Sequence, residues 1–361
     1  MSLTLVKFKI LREINRRVNQ VEIFLGRKKL ISRPRYAQIE PTNRCNQRCI
    51  MCPRNDRLDV PIGDMDFKTF KKILDQLPTI QNLLLNGLGE PLLNKELPEM
   101  IIYAYSRGIK VSINSNCALV DKSLAEKLVN SGLHLIKISL DSTDPKIYQS
   151  IRNGPLEPVI RGIKELVKAR RERKSFYPQL WFNSIIMKQN YNQIFAILKL
   201  AEELGVDYVR FKPIDTFDVY KDEDLKISNK QLEKILEDVL EKSKTIKIKH
   251  NLDDLLKDIK EGTYYRPDKV PCYIPWNEVY VQYYGGVRLC CDFYSKKYDV
   301  GNVLEEKFSK IWNNEKMQEI RGHFIKGELI FPVCKSCNHF SRNLEVYNKI
   351  AKIKKFYVLQ K

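Results

Sequence analysis

The residues most suited to chemistry in this 361-residue chain are its nine cysteines, and they are grouped. Cys45, Cys49 and Cys52 fall in "RCNQRCIMCP" with the spacing C-x3-C-x2-C. Cys117 stands apart, and Cys272, Cys290, Cys291, Cys334 and Cys337 form a second group. Charges scattered through the first residues do not read as a secretory signal, so clustered cysteines are expected to serve metal or catalysis rather than disulfides. A structural zinc site uses four ligands, usually from two separated pairs, so three cysteines in one tight loop match it poorly. A [4Fe–4S] cube has four irons, each needing an outer ligand. Three thiolates would therefore leave one iron open. In the second group, Cys272, Cys290 and the C-x2-C pair Cys334/Cys337 could close around zinc or an iron–sulfur cube, and spacing does not choose between them. Cys291 adjoins Cys290 in a strand, where neighbours point to opposite faces, so it is expected to be a non-ligand.

These groups need elements to hold them. From Tyr36 the sequence alternates between strand and helix patterns. Strands are expected at "YAQIEP", "NLLLNGLGEPLL", "KVSINSN", "LIKISLDS", "QLWFNSIIM" and "YVRFKPI", with amphipathic helices between them. About six such units predict an α/β fold with a parallel sheet and external helices, an open partial (β/α)6 barrel rather than a closed eight-stranded one. In such folds the working groups sit at the carboxyl ends of the strands, and each motif singled out here follows a strand. After a charged helical connector, "VPCYIPWNEVYVQYYGGVRLCCDF" reads as a β-hairpin turning at Gly285–Gly286. A helix at 308–321 and the C-x2-C pair complete this small module. The expected organisation is a basic amphipathic segment at 1–35, a core domain at 36–215, a connector at 216–268, an auxiliary domain at 269–340 and a basic tail at 341–361.

Net charge is +19, with an isoelectric point near 9.4. That balance favours anionic partners without identifying one, and lysine- and glutamate-rich chains from hot environments share it. Residues 1–35 hold ten Lys or Arg against Glu13 and Glu22. Apolar residues recur there at helical spacing. This segment is expected to dock on the main domain as a helix, or to touch a membrane surface or another polyanion. No apolar run is long enough to span a bilayer, and the expected setting is cytoplasmic, with a peripheral membrane contact as the variant.

The motifs together resemble the radical S-adenosylmethionine (radical SAM) enzymes. The resemblance rests on C-x3-C-x2-C directly after the first strand. "GLGEPLL" after the second is similar to the family's Gly-Gly-Glu-Pro motif, with Leu88 at a glycine position. It implies that the open iron chelates S-adenosylmethionine (SAM). One electron then releases a 5′-deoxyadenosyl radical that takes a hydrogen atom from substrate. It further implies that Glu90 accepts a hydrogen bond from the SAM ammonium. Asn116, in "NSN", would face the ribose, as would Ser139 and Asp141 in "ISLDS". Arg152, in "YQSIRNG", would pair with the SAM carboxylate. Cys117 stands where relatives carry glycine, and Met51 where many carry an aromatic. The module at 272–337 resembles the auxiliary-cluster domain called SPASM in its shortened "twitch" form. That implies a second, closed [4Fe–4S] cluster on Cys272, Cys290, Cys334 and Cys337.

The resemblance implies an oxidoreductase that passes an electron from a substrate radical to the auxiliary cluster, and an external electron donor such as ferredoxin or flavodoxin. The substrate would be a small molecule or a peptide. Modification of a peptide, a protein or a membrane lipid is the alternative reading. A non-enzymatic iron–sulfur or zinc protein binding nucleic acid is the remote one, since no base-reading motif is present. The sequence names no catalytic base.

Overall fold

Strand after strand in the core alternates between apolar residues turned outward under helices and polar residues turned inward. In β3 (Lys110–Ser115), Val111 and Ile113 are fully buried while Ser112 and Asn114 face a central cavity. The period-two pattern thus builds a barrel wall with an apolar outside and a polar inside. The computed structural model describes residues 3–57, 59–214, 225–262, 264, 271–291, 293–337, 343, 346–348 and 350. Its sheet begins with the six expected parallel strands: β1 (Tyr36–Ile39), β2 (Asn82–Leu85), β3, β4 (Leu135–Ser139), β5 (Gln179–Ile186) and β6 (Tyr208–Pro213).

The helices between them start where the chain offers acceptors for their first N–H groups. Asp66 accepts from the Thr69 N–H at 2.6 Å to open Phe67–Asp75, and Asp121 accepts from Leu124 at 2.7 Å to open Lys122–Asn130. Phe70, Ile73 and Leu74 of the first, and Ala125 and Leu128 of the second, are buried against the sheet.

The barrel has more wall than the strand–helix count predicts. The expected hairpin forms from β7 (Glu278–Val281) and β8 (Gly286–Arg288), with β9 (Gly301–Asn302) beside it. Yet β7 also pairs in parallel with β1, aligning Tyr36 with Glu278 and Gln38 with Tyr280. The sheet order is β6-β5-β4-β3-β2-β1-β7-β8-β9, and it is not closed. All four residues of β7 are buried, as befits a strand in the interior of the sheet. The helix expected at 308–321 is instead two, Phe308–Ile311 and Glu315–Ile325, divided where Asn314 accepts from the Met317 N–H at 2.9 Å.

The N-terminal helix, Leu3–Phe24, lies across the amino ends of the strands and docks largely through polar groups. Arg12 donates to the carbonyls of Gly108 and Arg107, both at 3.0 Å, just before β3. Asn15 exchanges two hydrogen bonds with the Arg33 backbone just before β1. Asn19 donates to the Trp276 carbonyl at 2.7 Å, just before β7, and Glu22 accepts from the N–H groups of Ile31 and Ser32. All four side chains are buried. The connector contributes helices Asn229–Lys242 and Leu252–Lys260. Most of the basic tail at 341–361 lies outside the described residues. Among those described, no helix is long and apolar enough to cross a membrane.

Candidate active site

One cavity of about 590 Å3 opens inside the barrel. Cys45, Cys49 and Cys52 line one end of it, together with Glu90, Asn116, Ser139 and Arg152. Residues from five loops and element ends therefore converge on one cavity. The cysteine loop is held from both sides. The Arg54 guanidinium donates to the Asn43 carbonyl at 2.7 Å, and Asn55 donates to the Cys49 carbonyl at 2.8 Å. The Ile50 N–H reaches the Ile151 carbonyl at 2.9 Å, tying the loop to the helix Pro145–Arg152.

The glycines of "GLGEP" permit the approach of that loop. A Cβ at Gly89 would stand 2.4 Å from the carbonyl oxygens of both Arg44 and Thr42, and one at Gly87 would meet the Glu40 carboxylate at 2.2 Å. Both glycines thus make room for the cysteine loop and for Glu40 at the end of β1. Cys117 adopts φ 57°, the left-handed conformation that glycine takes most readily. Its thiol is buried, outside the cavity lining.

Glu90 is buried, and both its oxygens are engaged: one accepts from Ser115 Oγ at 2.7 Å, the other from the Asn116 N–H at 2.8 Å. Burial pushes its pKa up to about 7, against the pull of those donors. A carboxylate has about four acceptor sites, so Glu90 can still receive a cationic donor from the cavity. Asn116 donates from Nδ2 to Asn46 Oδ1 at 2.8 Å, which fixes it beside the cysteine loop.

Asp141 stands one layer behind the wall rather than on it. Its Oδ2 accepts from Arg152 Nε at 2.5 Å and its Oδ1 from the Ile185 N–H at 2.7 Å. Arg152 in turn directs Nη1 to Cys49 Sγ at 3.6 Å. Burial would lower the Arg152 pKa, but the charges of Asp141 and Cys49 outweigh it and hold the guanidinium charged. The carboxylate therefore orients a cation that the cavity sees.

A further stretch of wall, next to β1, comes from the C-terminal module, which sequence reasoning did not assign to this site. Glu278, Tyr280, Gln282, Arg288, Cys291, Phe293 and Tyr294 all line the same cavity. The signal was present in the alternation of "EVYVQ", but its pairing partner β1 lies some 240 residues away. Arg288 is buried and donates to Asp299 at 2.7 Å, the Phe293 carbonyl at 2.9 Å and Tyr284 Oη at 2.8 Å, fixing the turn that carries Cys291 and Phe293.

A second, small cavity is lined by Cys272, Cys290, Cys334 and Cys337, with Ile274, Leu289, Phe324 and Val333 around them. The four sulfurs come from three separate segments of chain. Cys290 faces this pocket while Cys291 faces the barrel. Phe293 lines both, stacked on Tyr298 at 4.7 Å.

Both sets fit metal clusters by their donor chemistry. Burial raises the pKa of Cys45, pushes that of Cys52 up to about 11 and raises that of Cys272, where Cys337 and Cys334 add to the effect. Such thiols ionise when a metal replaces the proton. The barrel cavity adds Asn114 Oδ1, a buried acceptor with no partner within the described chain. A ligand donor there would satisfy it.

Comparison with known proteins agrees with this geometry. The profile of the radical SAM superfamily matches residues 39–201, and that of the SPASM iron–sulfur cluster-binding domain matches residues 272–338. A probable GTP 3′,8-cyclase of Methanococcus aeolicus is 30% identical over 244 residues, covering 62% of this chain and 73% of that protein. The chain belongs to the radical SAM superfamily. This radical SAM protein is also 27% identical over 334 residues to the tungsten-containing aldehyde ferredoxin oxidoreductase cofactor-modifying protein of Pyrococcus furiosus, covering 84% of the chain and 87% of that relative. Its fold is similar to that of Streptococcus suis SuiB bound to the precursor peptide SuiA, with a TM-score of 0.64 at 18% identity over 88% of this chain and 74% of that one. Radical SAM and SPASM domains bring [4Fe–4S] clusters and SAM as cofactors.

Proposed function

We propose that this radical SAM enzyme oxidises a polar small molecule or a peptide and hands one electron to its auxiliary cluster. Cys45, Cys49 and Cys52 would hold the cluster that binds SAM, and Cys272, Cys290, Cys334 and Cys337 the closed one. Bound there, the first cluster and SAM would supply the one-electron, hydrogen-abstracting chemistry, which belongs to the cofactors rather than to the protein.

The protein's part is to bind and orient. Glu90 would receive the SAM ammonium, and Arg152, steadied by Asp141, the carboxylate. Asn116 and Ser139 line the cavity where the ribose would rest. Gln38, Asn82, Ser112, Asn114 and Lys137 make the inner wall polar, which supports a substrate rich in hydrogen-bonding groups. The observation that carries the electron hand-off is the shared wall. Phe293 lines both cavities, and the adjacent Cys290 and Cys291 face one each.

Anaerobic reconstitution with iron and sulfide tests the reading. About eight irons per chain are expected from two cubes of four. The Cys45/Cys49/Cys52 triple alanine variant should keep about four and lose reductive SAM cleavage. A Cys334→Ala/Cys337→Ala variant should lose the other set and still cleave SAM when reduced chemically. Zinc without sulfide in the wild-type protein would overturn the assignment.

A further inference from the structure

The N-terminal helix turns Ile23 and Phe24 toward the core, but it also buries polar side chains and leaves much of its apolar surface outside. An amphipathic helix on a globular domain turns its apolar stripe to the core. Here Arg12, Asn15, Asn19 and Glu22 face inward, hydrogen-bonded to backbone at the amino ends of β3, β1 and β7. Ile10, Leu11, Ile14, Val21 and Leu25 face solvent, each 40–56% exposed. Positions 10, 14, 21 and 25 fall in a row on one side of the helix and its last turn, as two apolar pairs with exposed Arg17 between them. At 1.5 Å per residue the row is roughly 22 Å long.

The rotation is not free to change. Turning the row inward would bury aliphatic groups, but it would also strip Arg12, Asn15, Asn19 and Glu22 of their backbone partners. Glu22 caps the turn at Ile31 and Ser32, and Asn15 clasps both backbone groups of Arg33. The polar dock fixes the apolar row outward.

Charge selects what covers it. Lys7, Lys9, Arg17, Arg27, Lys28 and Lys29 are exposed around the row. The segment's two acids are committed: Glu13 to Arg16 and Arg17, Glu22 to the backbone. The row holds no tryptophan or tyrosine of the kind that anchors a protein partner in a pocket. Aliphatic side chains in a line, flanked by lysine and arginine, suit a flat surface that is apolar beneath and anionic above.

We propose that this helix seats the enzyme on an anionic lipid bilayer, with the Ile10–Leu25 row in the acyl boundary and the flanking cations among the headgroups. The helix lies under the amino ends of the strands, whereas the cysteine loop follows the carboxyl end of β1. The contact is thus an anchor and not a route for a lipid into the cavity. It is independent of the chemistry proposed above.

The test is sedimentation of the intact protein, clusters included, with vesicles of phosphatidylcholine alone or mixed with phosphatidylglycerol. The wild type should partition at least about tenfold more strongly onto the anionic vesicles, and the preference should shrink with added salt. The Ile10→Ser/Ile14→Ser/Val21→Ser/Leu25→Ser variant should lose at least about tenfold in binding while keeping its melting temperature and iron content, because these side chains face solvent. Failure of the wild type to bind, or equal binding by the variant, overturns the proposal. So does a wild-type dimer in light scattering that the serine variant dissolves, which would make a second copy the occupant. Binding that appears only after residues 351–361 are removed would assign the row to the chain's own tail and overturn it as well.

Discussion

Asp141→Asn should be far more damaging than its size suggests. Asp141 is fully buried and uses both oxygens: Oδ1 accepts from the Ile185 N–H at 2.7 Å, and Oδ2 from Arg152 Nε at 2.5 Å. Asparagine has one acceptor oxygen. Whichever way the amide turns, its NH2 group faces a donor, either the backbone of β5 or the guanidinium. The substitution also leaves the Arg152 charge buried without its partner. Breaking a buried pair on one side costs about 3–5 kcal/mol. At roughly 2–4 °C per kcal/mol for a domain of this size, melting should fall by about 6–20 °C. An anaerobic circular dichroism melt reads this directly. Arg152→Met in the same chain removes the stranded charge, so the double variant should be more stable than the sum of the two singles by more than about 0.5 kcal/mol. A single variant that melts within about 2 °C of wild type, or strictly additive losses, would refute the account of Asp141 as the group that holds Arg152.

Two further outcomes follow from the same loops. Gly89→Ala should push the cysteine loop away, because its Cβ would stand 2.4 Å from two backbone carbonyls that cannot yield as a side chain can; reconstituted iron should drop toward the about four atoms of the auxiliary cube. Glu90 has its pKa raised by burial to about 7, so ionising it opposes folding: its contribution to stability is greatest below the unfolded value near 4.5 and declines as pH rises through 7. SAM binding should have the opposite slope, strengthening as pH rises toward 8, and Glu90→Gln should flatten that profile in equilibrium dialysis; a wild-type profile already flat from pH 6 to 8 would exclude Glu90 as the ammonium acceptor.

Much of the fold could be read from period-two strands alternating with helical segments, because local burial decides both patterns. The converging cysteines and "GLGEP" could be read because thiol spacing and glycine are chemically restrictive. The rest depended on contacts that no local pattern encodes. β7 reads as one arm of a hairpin, and nothing in "EVYV" says that it also joins β1 in parallel. The resemblance put Asp141 near the ribose, but no local pattern says that its carboxylate engages Arg152 and the Ile185 N–H. The N-terminal periodicity revealed an amphipathic helix but not which face turns inward. Hydropathy alone chooses the apolar face, whereas four backbone-directed polar side chains also turn inward.

The seam between β1 and β7 has a consequence for how such a chain can be dismantled. The C-terminal module looks like a cassette in the sequence, beginning long after the last strand of the core. Structurally it supplies a stave of the barrel. A chain stopped before β7 would leave the inner edge of β1 with unpaired N–H and C=O groups, beside a cavity missing one side. Such an edge invites pairing with other chains. The two cysteine centres are therefore not separable parts that could be exchanged between relatives like beads on a string. Any transplant would have to carry β1, β7 and the loops that follow both.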